Sequence, residues 1–264
     1  MKISVIIPTY NRYETLKRAL HSVFAQTYKP AEVIVIDDGS SDETYKITED
    51  FPSIIYRFQN NAGVSAARNK GIKISRYEWV AFLDSDDEYH EDKLALHVKL
   101  HKQYKNLKFS YTNELWIRNQ TQVNIPKKFQ KHSGMIFDKC LTHCIIAPSS
   151  VLIHRDVFDD IGFFDEDLEV CEDYDLWLRL TCKYEAGLID APVTIKHGGH
   201  KDQLSQKHRG MDRFRVKSLE KFLGKDGRVR EVLRDKYSLL LKGARKYNRT
   251  KQWREYEKKL ADLC

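Results

Sequence analysis

The segment WVAFLDSDDEYH (residues 79–90) joins an apolar run to an acidic cluster. Residues 79–83 have the composition of a buried strand, and Asp84, Asp86 and Asp87 follow it directly. Three carboxylates so close together repel one another unless a positive charge lies among them. The segment therefore predicts a buried strand whose carboxyl end holds a cation or a positively charged group.

Four more segments have the same strand composition, at residues 3–7, 32–36, 53–58 and 108–112. Between the first two, residues 16–24 repeat apolar side chains at helical spacing, and a second helix is predicted after Gly63. Strands that alternate with helices indicate an α/β fold in which helices flank a mostly parallel central sheet.

The second half of the chain is more helical and, at its end, more basic. A strand and a short helix are predicted near residues 150–164, a helix over residues 171–184, a strand from residue 186, and two or three helices from about residue 203. Residues 201–264 hold 20 Lys or Arg against 9 Asp or Glu, whereas residues 1–200 hold 25 against 29. We therefore predict a catalytic and ligand-binding domain at residues 1–200 and a basic helical extension at residues 201–264.

The composition argues against several protein classes. No apolar run approaches the ~20 residues of a membrane span, and only about five apolar residues precede Pro8, too few for the core of a signal peptide. The five cysteines are odd in number and scattered, so reduced thiols are expected. Together these features predict a cytoplasmic protein.

Three predicted strands end in polar, chemically reactive sequence: PTYNR (residues 8–12), DDGSSD (residues 37–42) and DSDD (residues 84–87). In open α/β sheets, ligands bind beyond the carboxyl ends of the strands. The first of these turns has no glycine and the chain has no GxxxxGK[ST] motif, which argues against dinucleotide-binding folds and P-loop NTPases.

Taken together, these stretches resemble family 2 glycosyltransferases of the GT-A fold. Six blocks carry the resemblance, in the family's order: SVIIPTYNR, VIVIDDGSSDET, NAGVSAARNKGI, WVAFLDSDDEY, SSVLIHRDVFDDIGFFDEDL and EDYDLWLRL. They cover most of residues 3–181, and KHGGHKDQLS (residues 196–205) is a weaker seventh.

The resemblance implies that the acidic cluster binds a divalent cation, Mn²⁺ or Mg²⁺, together with the diphosphate of a nucleotide-sugar. Oxygen ligands suit such hard ions. Asp86 is the implied direct ligand, and Asp87 is expected to cap the following helix. A histidine after the last strand completes the metal site in many relatives, and His200 fits that spacing best, with His197 as the alternative.

The nucleotide pocket implied by the resemblance consists of Pro8, Thr9, Tyr10, Asp38, Arg68, Asp84 and Ser85. Asp38 is expected to accept a hydrogen bond from the imide N–H of uracil, a pairing that suits a carboxylate. Arg68 is expected beside the base or the phosphates, and Asp84 beside the ribose or a metal-bound water. Asp38 as a simple turn residue is the alternative.

The block EDYDLWLRL supplies the implied catalytic carboxylates. Asp173 shares a helical face with Trp177 and Leu180, which predicts an inward carboxylate, while Asp175 and Arg179 are expected to face elsewhere. The resemblance makes Asp173 the general base. Glu172 is the next candidate for that role, and both residues as helix N-terminal caps are the alternative.

We therefore predict an inverting, metal-dependent glycosyltransferase that moves a sugar from a nucleotide donor, with UDP favoured, to an acceptor hydroxyl in surface polysaccharide or lipopolysaccharide synthesis. The alternatives are a sugar-1-phosphate nucleotidyltransferase and a catalytically silent nucleotide-sugar-binding protein. A glycan or lipid-linked acceptor is expected. The basic extension is expected to form either solvated helical faces or a peripheral contact at the inner face of the membrane, and no pattern of nucleic-acid binding is present.

Overall fold

The computed structural model describes residues 1–199, 208 and 210–263. Within this part, nine strands form one sheet: β1 Ile3–Thr9, β2 Glu32–Asp37, β3 Ile55–Phe58, β4 Trp79–Phe82, β5 Glu88–Tyr89, β6 Phe109–Arg118, β7 Thr121–Val123, β8 Val151–His154 and β9 Ala186–Gly198. The helices within residues 1–199 are α1 Tyr13–Phe24, α2 Ile47–Asp50, α3 Val64–Ile74, α4 Lys93–Gln103, α5 Phe137–Thr142, α6 Asp156–Ile161 and α7 Glu172–Thr181. Three helices follow: α8 Asp212–Glu220, α9 Gly227–Lys246 and α10 Thr250–Ala261.

The sheet runs in the order β3-β2-β1-β4-β8-β6-β9-β5, with β7 paired to β6. The strands β3, β2, β1 and β4 are parallel to their neighbours, so their carboxyl ends lie at one edge. β8 is antiparallel to both β4 and β6, and β9 then runs parallel to β6. The fold is therefore mixed α/β, with its parallel half contributed by the first 82 residues.

The two faces of β1 show why helices cover both sides of the sheet. Alternate residues point to opposite faces of a strand, and Ile3, Val5 and Ile7 join one apolar core while Ile6 joins the other. On the second face, a Cβ at Gly71 of α3 would lie 2.4 Å from Ile6 Cγ2. The close packing of α3 on the sheet therefore requires glycine at this position.

All five strands predicted in the first 112 residues are present, with ends that differ by a few residues. The largest difference is β6, which continues to Arg118 and pairs with β9 along its whole length. The loose sequence pattern after residue 112 reflects irregular pairing, because the register of β6 and β9 shifts on both sides of Asn113. Such bulges redirect side chains near functional sites.

The basic C-terminal helices pack against the body of the protein. Phe222 contributes to the same apolar core as Phe137, with ring centroids 5.5 Å apart, and Lys221 forms a 2.6 Å ion pair with the buried Asp175. The boundary near residue 200 stays a prediction. None of the helices in the described residues is long and apolar enough to cross a membrane. The four cysteines described are free thiols, as expected.

Candidate active site

The turns after β1 and β2 are tied together at the edge of the sheet. The backbone N–H of Asp38 donates to the Thr9 carbonyl at 2.9 Å, and Asn11 Oδ1 accepts from the backbone N–H of Ser41 at 2.7 Å. Gly39 has φ +87°, and a Cβ there would lie 2.7 Å from the backbone nitrogen of Asn61. The glycine of DDGSSD therefore lets three loops meet at one point.

Asp38 lies in this junction and is buried. One carboxylate oxygen accepts from Gln59 Nε2 at 2.7 Å and from the backbone N–H of Ala62 at 2.9 Å, and the other accepts from the backbone N–H of Gly63 at 2.8 Å. A carboxylate offers about four acceptor positions. Asp38 therefore organises the entry to α3 and retains acceptor capacity for one further donor.

The end of β1 supplies the other wall of this pocket. Pro8 and Thr9 are buried, whereas Tyr10 is 48% exposed. Thr9 Oγ1 is buried and has no hydrogen-bond partner among the described residues. A buried hydroxyl without a partner is unfavourable, so this atom is available to a bound ligand. Ser85 is also buried, beneath the acidic turn that follows β4.

Arg68 lies between the acidic turn after β4 and the start of α7, and its expected contact with the base or the phosphates stays a prediction. Its side chain is 4% exposed and forms two ion pairs of 2.7 Å, with Asp84 on one side and Glu172 on the other. Burial opposes ionisation of Asp84, but the charges of Arg68, Lys196 and Arg12 together outweigh burial and lower the pKa of Asp84. Burial, together with the charge of Asp173, raises the pKa of Glu172 to about 7. Arg68 thus connects the acidic turn to the start of α7.

Two other arginines, Arg12 and Arg18, contact Asp86. Arg12 Nη1 lies 2.9 Å from Asp86 Oδ2, and Arg18 Nη2 donates to the Asp86 carbonyl at 2.8 Å. Burial raises the pKa of Asp86. Arg12, which follows β1, and Arg18 of α1 therefore place positive charge beside Asp86, the predicted metal ligand.

A divalent cation at Asp86 would have few protein ligands in the described residues. In residues 1–199, 208 and 210–263, no three His, Cys, Asp or Glu side chains are grouped to hold a metal ion. Mg²⁺ is usually held by one or two carboxylates together with substrate phosphates, and Asp86 meets that requirement. His200, predicted as a further ligand, lies outside the described residues.

Asp87 does not cap the following helix, so that prediction is wrong. β5 intervenes, and α4 begins only at Lys93. Asp87 instead turns inward, where it accepts from Ser149 Oγ at 2.6 Å and from the backbone N–H of His197 at 3.2 Å. The imidazole of His197 contacts Glu88, with Nε2 and Oε1 2.6 Å apart. His197 thus lies beside the acidic cluster.

Asp173 lies at the start of α7 and is partly exposed. Cys171, the residue before α7, has φ +65°, a left-handed conformation that is uncommon outside glycine. Asp173 Oδ1 accepts from the backbone N–H of Tyr174 at 2.7 Å, and Cys144 Sγ lies 3.4 Å from Oδ2. Glu172, by contrast, is buried against Arg68. Of the two, Asp173 is the carboxylate that an acceptor can reach.

The expectation that Asp175 faces away from the core is wrong. Asp175 is fully buried and accepts from both Arg179, at 2.8 Å, and Lys221, at 2.6 Å. More than one face of α7 is covered because α5, α6 and α8 pack against it. Helical periodicity alone predicts one buried face, and the second face is covered by helices distant in sequence.

Lys196 is a site residue that the sequence analysis missed. It is half-buried in β9. Burial lowers the pKa of its amine, but nearby carboxylates outweigh burial and raise that pKa. These carboxylates belong to Asp87, Glu114, Asp84 and Asp173. It has no ion-pair partner among the described residues. A lone lysine in a strand carries no sequence signal beyond its place as the first residue of the KHGGH segment. The structure brings its charge between the acidic turn and Asp173.

The sequence model for glycosyl transferase family 2 matches residues 4–162. The chain belongs to glycosyltransferase family 2. The matched residues include the ends of β1, β2 and β4, where the candidate site lies, and the family assignment agrees with the resemblance described above. An uncharacterised glycosyltransferase of Rickettsia felis is 35% identical over 196 residues, which are 73% of this chain and 32% of that protein. The chain thus spans about a third of the length of that relative.

A second relative of this family 2 chain carries a named activity. The Escherichia coli protein WfgD, a UDP-Glc:α-D-GlcNAc-diphosphoundecaprenol β-1,3-glucosyltransferase, is 33% identical over 181 residues, 67% of this chain and 69% of that protein. Among solved structures, S. aureus TarS residues 1–349 in complex with UDP-GlcNAc has a TM-score of 0.78 at 19% identity, covering 100% of this chain and 80% of that one. This likeness shows a shared GT-A fold.

Proposed function

We propose that the protein is an inverting glycosyltransferase that moves a sugar from a UDP donor to an acceptor hydroxyl. The observation that carries the proposal is the partly exposed carboxylate of Asp173, held beside a buried Arg68–Glu172 ion pair that links it to the acidic turn after β4. A silent binding protein would not need a reachable carboxylate at this point. A nucleotidyltransferase would need a glycine-rich loop after β1, which PTYNR does not provide.

Donor binding is assigned to the junction of the first two strands. The remaining acceptor position of Asp38 pairs with the imide N–H of uracil, and Thr9 Oγ1 is available to the nucleotide. TarS, which shares the fold, was solved with UDP-GlcNAc, and WfgD is named for a UDP-Glc donor. Both names favour UDP over other nucleotides here.

In this proposal Asp86, which pairs with Arg12 at 2.9 Å, would hold Mn²⁺ or Mg²⁺. A bound divalent cation neutralises the diphosphate as a leaving group. Lys196 adds a fixed positive charge on the other side of the acidic cluster, where it offsets negative charge that develops on the departing UDP.

The chemical step needs one base and one leaving group. Asp173 accepts the proton of the acceptor hydroxyl while that oxygen attacks the anomeric carbon, and the bond from this carbon to the UDP oxygen breaks with its electron pair leaving on UDP. Attack from the side opposite UDP inverts the anomeric configuration. Arg68 and Glu172 act as positioning residues, because their buried ion pair fixes the first turn of α7.

The product is proposed to belong to a cell-surface glycan, with a lipid-linked acceptor as in the name of WfgD. A peripheral membrane contact is assigned to the α9–α10 hairpin tip, residues 239–254. This segment has six exposed Lys or Arg residues and no Asp or Glu, and it also exposes Leu239, Tyr247 and Trp253. Cations near an anionic bilayer contribute about 1 kcal/mol each, and Tyr and Trp favour the interface.

The test is UDP release from a panel of UDP-sugars, measured with and without Mn²⁺ or Mg²⁺, in the presence of a GlcNAc-diphosphate lipid. Asp173→Asn keeps the shape of the residue but cannot accept the proton, so turnover should fall by roughly 10²–10⁴-fold while UDP affinity is retained. Turnover in this variant above about a tenth of wild type would place the base elsewhere. Absence of any UDP-sugar turnover in the wild-type protein would refute the function.

A further inference from the structure

A cavity of about 320 Å³ lies beside the candidate active site and is lined mainly by basic and polar side chains. Lys127 and Lys128 form one side, and Lys139 and His143 belong to the helix and turn opposite them. The only acidic side chain in the lining is Asp138, which forms a 2.9 Å ion pair with Lys139. The two lysines at residues 127 and 128 have no ion-pair partner among the described residues.

Further positive charge reaches this cavity from the C-terminal helices. Lys236 of α9 donates to the Thr142 carbonyl at 3.1 Å, and it shares a single carboxylate, Asp212, with Arg215 of α8. Burial and the charges of Lys128, Lys236 and Arg215 lower the pKa of His143. The cavity therefore has a net positive charge that the described part of the protein does not neutralise.

A larger cavity of about 590 Å³ provides the contrast. Five cations line it, of which Arg179, Lys183, Lys221 and Arg228 are each paired with an aspartate at 2.5–2.8 Å, and Lys225 has no ion-pair partner among the described residues. A cation already paired with a carboxylate gains little from binding an anion. The smaller cavity, with two unpaired lysines and a single acidic side chain in its lining, is therefore the better anion site.

The smaller cavity lies close to Asp173, the proposed general base. His143 lines the cavity, and the next residue, Cys144, places its Sγ 3.4 Å from Asp173 Oδ2. A half-buried row of rings also borders it: the centroid of Phe129 lies 5.4 Å from that of Trp116 and 5.9 Å from that of His143. Aromatic rings offer apolar area for the C–H face of a sugar.

On the basis of the proposed function, we propose that the acceptor carries a phosphate group beside the sugar that receives the transferred residue. The phosphate binds in the cavity between Lys127, Lys128 and His143, and the sugar lies against Phe129 with its hydroxyl directed toward Asp173. Charge-assisted hydrogen bonds from lysine suit phosphate oxygens.

Lysine acetylation followed by mass spectrometry tests the pocket without knowledge of the acceptor. Inorganic diphosphate, and separately GlcNAc 1-phosphate, should slow the acetylation of Lys127 and Lys128 several-fold in the full-length protein. The exposed lysines Lys99 and Lys102 on α4 serve as internal controls and should be unaffected. Sodium chloride of equal ionic strength should protect neither pair. Equal labelling of the two pairs at every anion concentration would overturn the proposal.

Kinetics then separate this proposal from the proposed function. In Lys127→Gln/Lys128→Gln, the KM for a farnesyl-diphosphate-linked GlcNAc acceptor should rise about tenfold, whereas UDP affinity and hydrolysis of the UDP-sugar by water stay unchanged. Lys99→Gln/Lys102→Gln is the control with the same change in charge. If the wild-type protein hydrolyses UDP-sugar but anions give no protection, only the acceptor proposal fails. If it consumes no UDP-sugar, the function fails whatever the labelling shows.

Discussion

Replacing Arg68 tests whether a buried ion network holds the active site together. Arg68 is 4% exposed and is 2.7 Å from both Asp84 and Glu172, so Arg68→Met removes the paired guanidinium from the buried Glu172 and the partly buried Asp84. Removing one partner of a buried pair costs about 3–5 kcal/mol. We expect the free energy of unfolding, measured by urea denaturation, to fall by that amount.

Two further variants make the test specific. Arg245→Met removes an ion pair to Glu257 in which both side chains are about half exposed, and it should cost less than about 1 kcal/mol. Arg68→Met/Glu172→Gln removes one of the two uncompensated charges, so it should be more stable than the sum of its single variants by about 0.5–3 kcal/mol. A loss below 1 kcal/mol in Arg68→Met, or strict additivity in the double variant, would refute the network.

Three other predictions address separate parts of the molecule. Lys93 is fully buried, and burial lowers the pKa of its amine to about 7, below the 10.5 of the unfolded chain. Between these two pKa values the unfolded state binds more protons than the folded state. The free energy of unfolding should therefore rise by up to about 1.4 kcal/mol per pH unit above pH 7. Urea denaturation at pH 7–9 should show this slope in the wild type but not in Lys93→Met, and equal slopes would contradict it. Lys196→Met should lower kcat for UDP release by about 10²-fold, with Lys196→Arg retaining part of the activity, and a kcat equal to wild type would exclude the proposed role. In the hairpin tip, Lys246→Glu/Arg249→Glu should weaken binding to phosphatidylglycerol vesicles more than tenfold in sedimentation, whereas Lys99→Glu/Lys102→Glu should not, and equal losses would point to net charge alone.

Local sequence was sufficient to predict the parallel half of the fold. β1, β2 and β4 are short apolar runs followed at once by polar turns, and this pattern depends on residues adjacent in the chain. The same locality explains why Asp38 and Asp173 could be singled out: each lies within a motif that marks a strand end or a helix start.

Contacts between segments that are far apart in the chain could not be predicted from local sequence patterns. Arg68 and Glu172 are 104 residues apart, so nothing in NAGVSAARNKGI indicates that this arginine pairs with α7. Lys196 likewise joins the site only because β9 pairs with both β5 and β6. Asp87 was misjudged for a related reason, since the short strand β5 forms only through pairing with β9 and displaces the start of α4.

The stereochemistry of donor hydrolysis tests the central claim most directly, because water can take the place of the unknown acceptor. UDP-α-glucose is incubated with the protein and a divalent cation, and the anomeric protons are followed by NMR before the released sugar mutarotates. A base at Asp173, acting on the side opposite UDP, predicts that β-glucose appears first and that Asp173→Asn suppresses its formation. Initial release of α-glucose, or release unaffected by Asp173→Asn, would contradict the account.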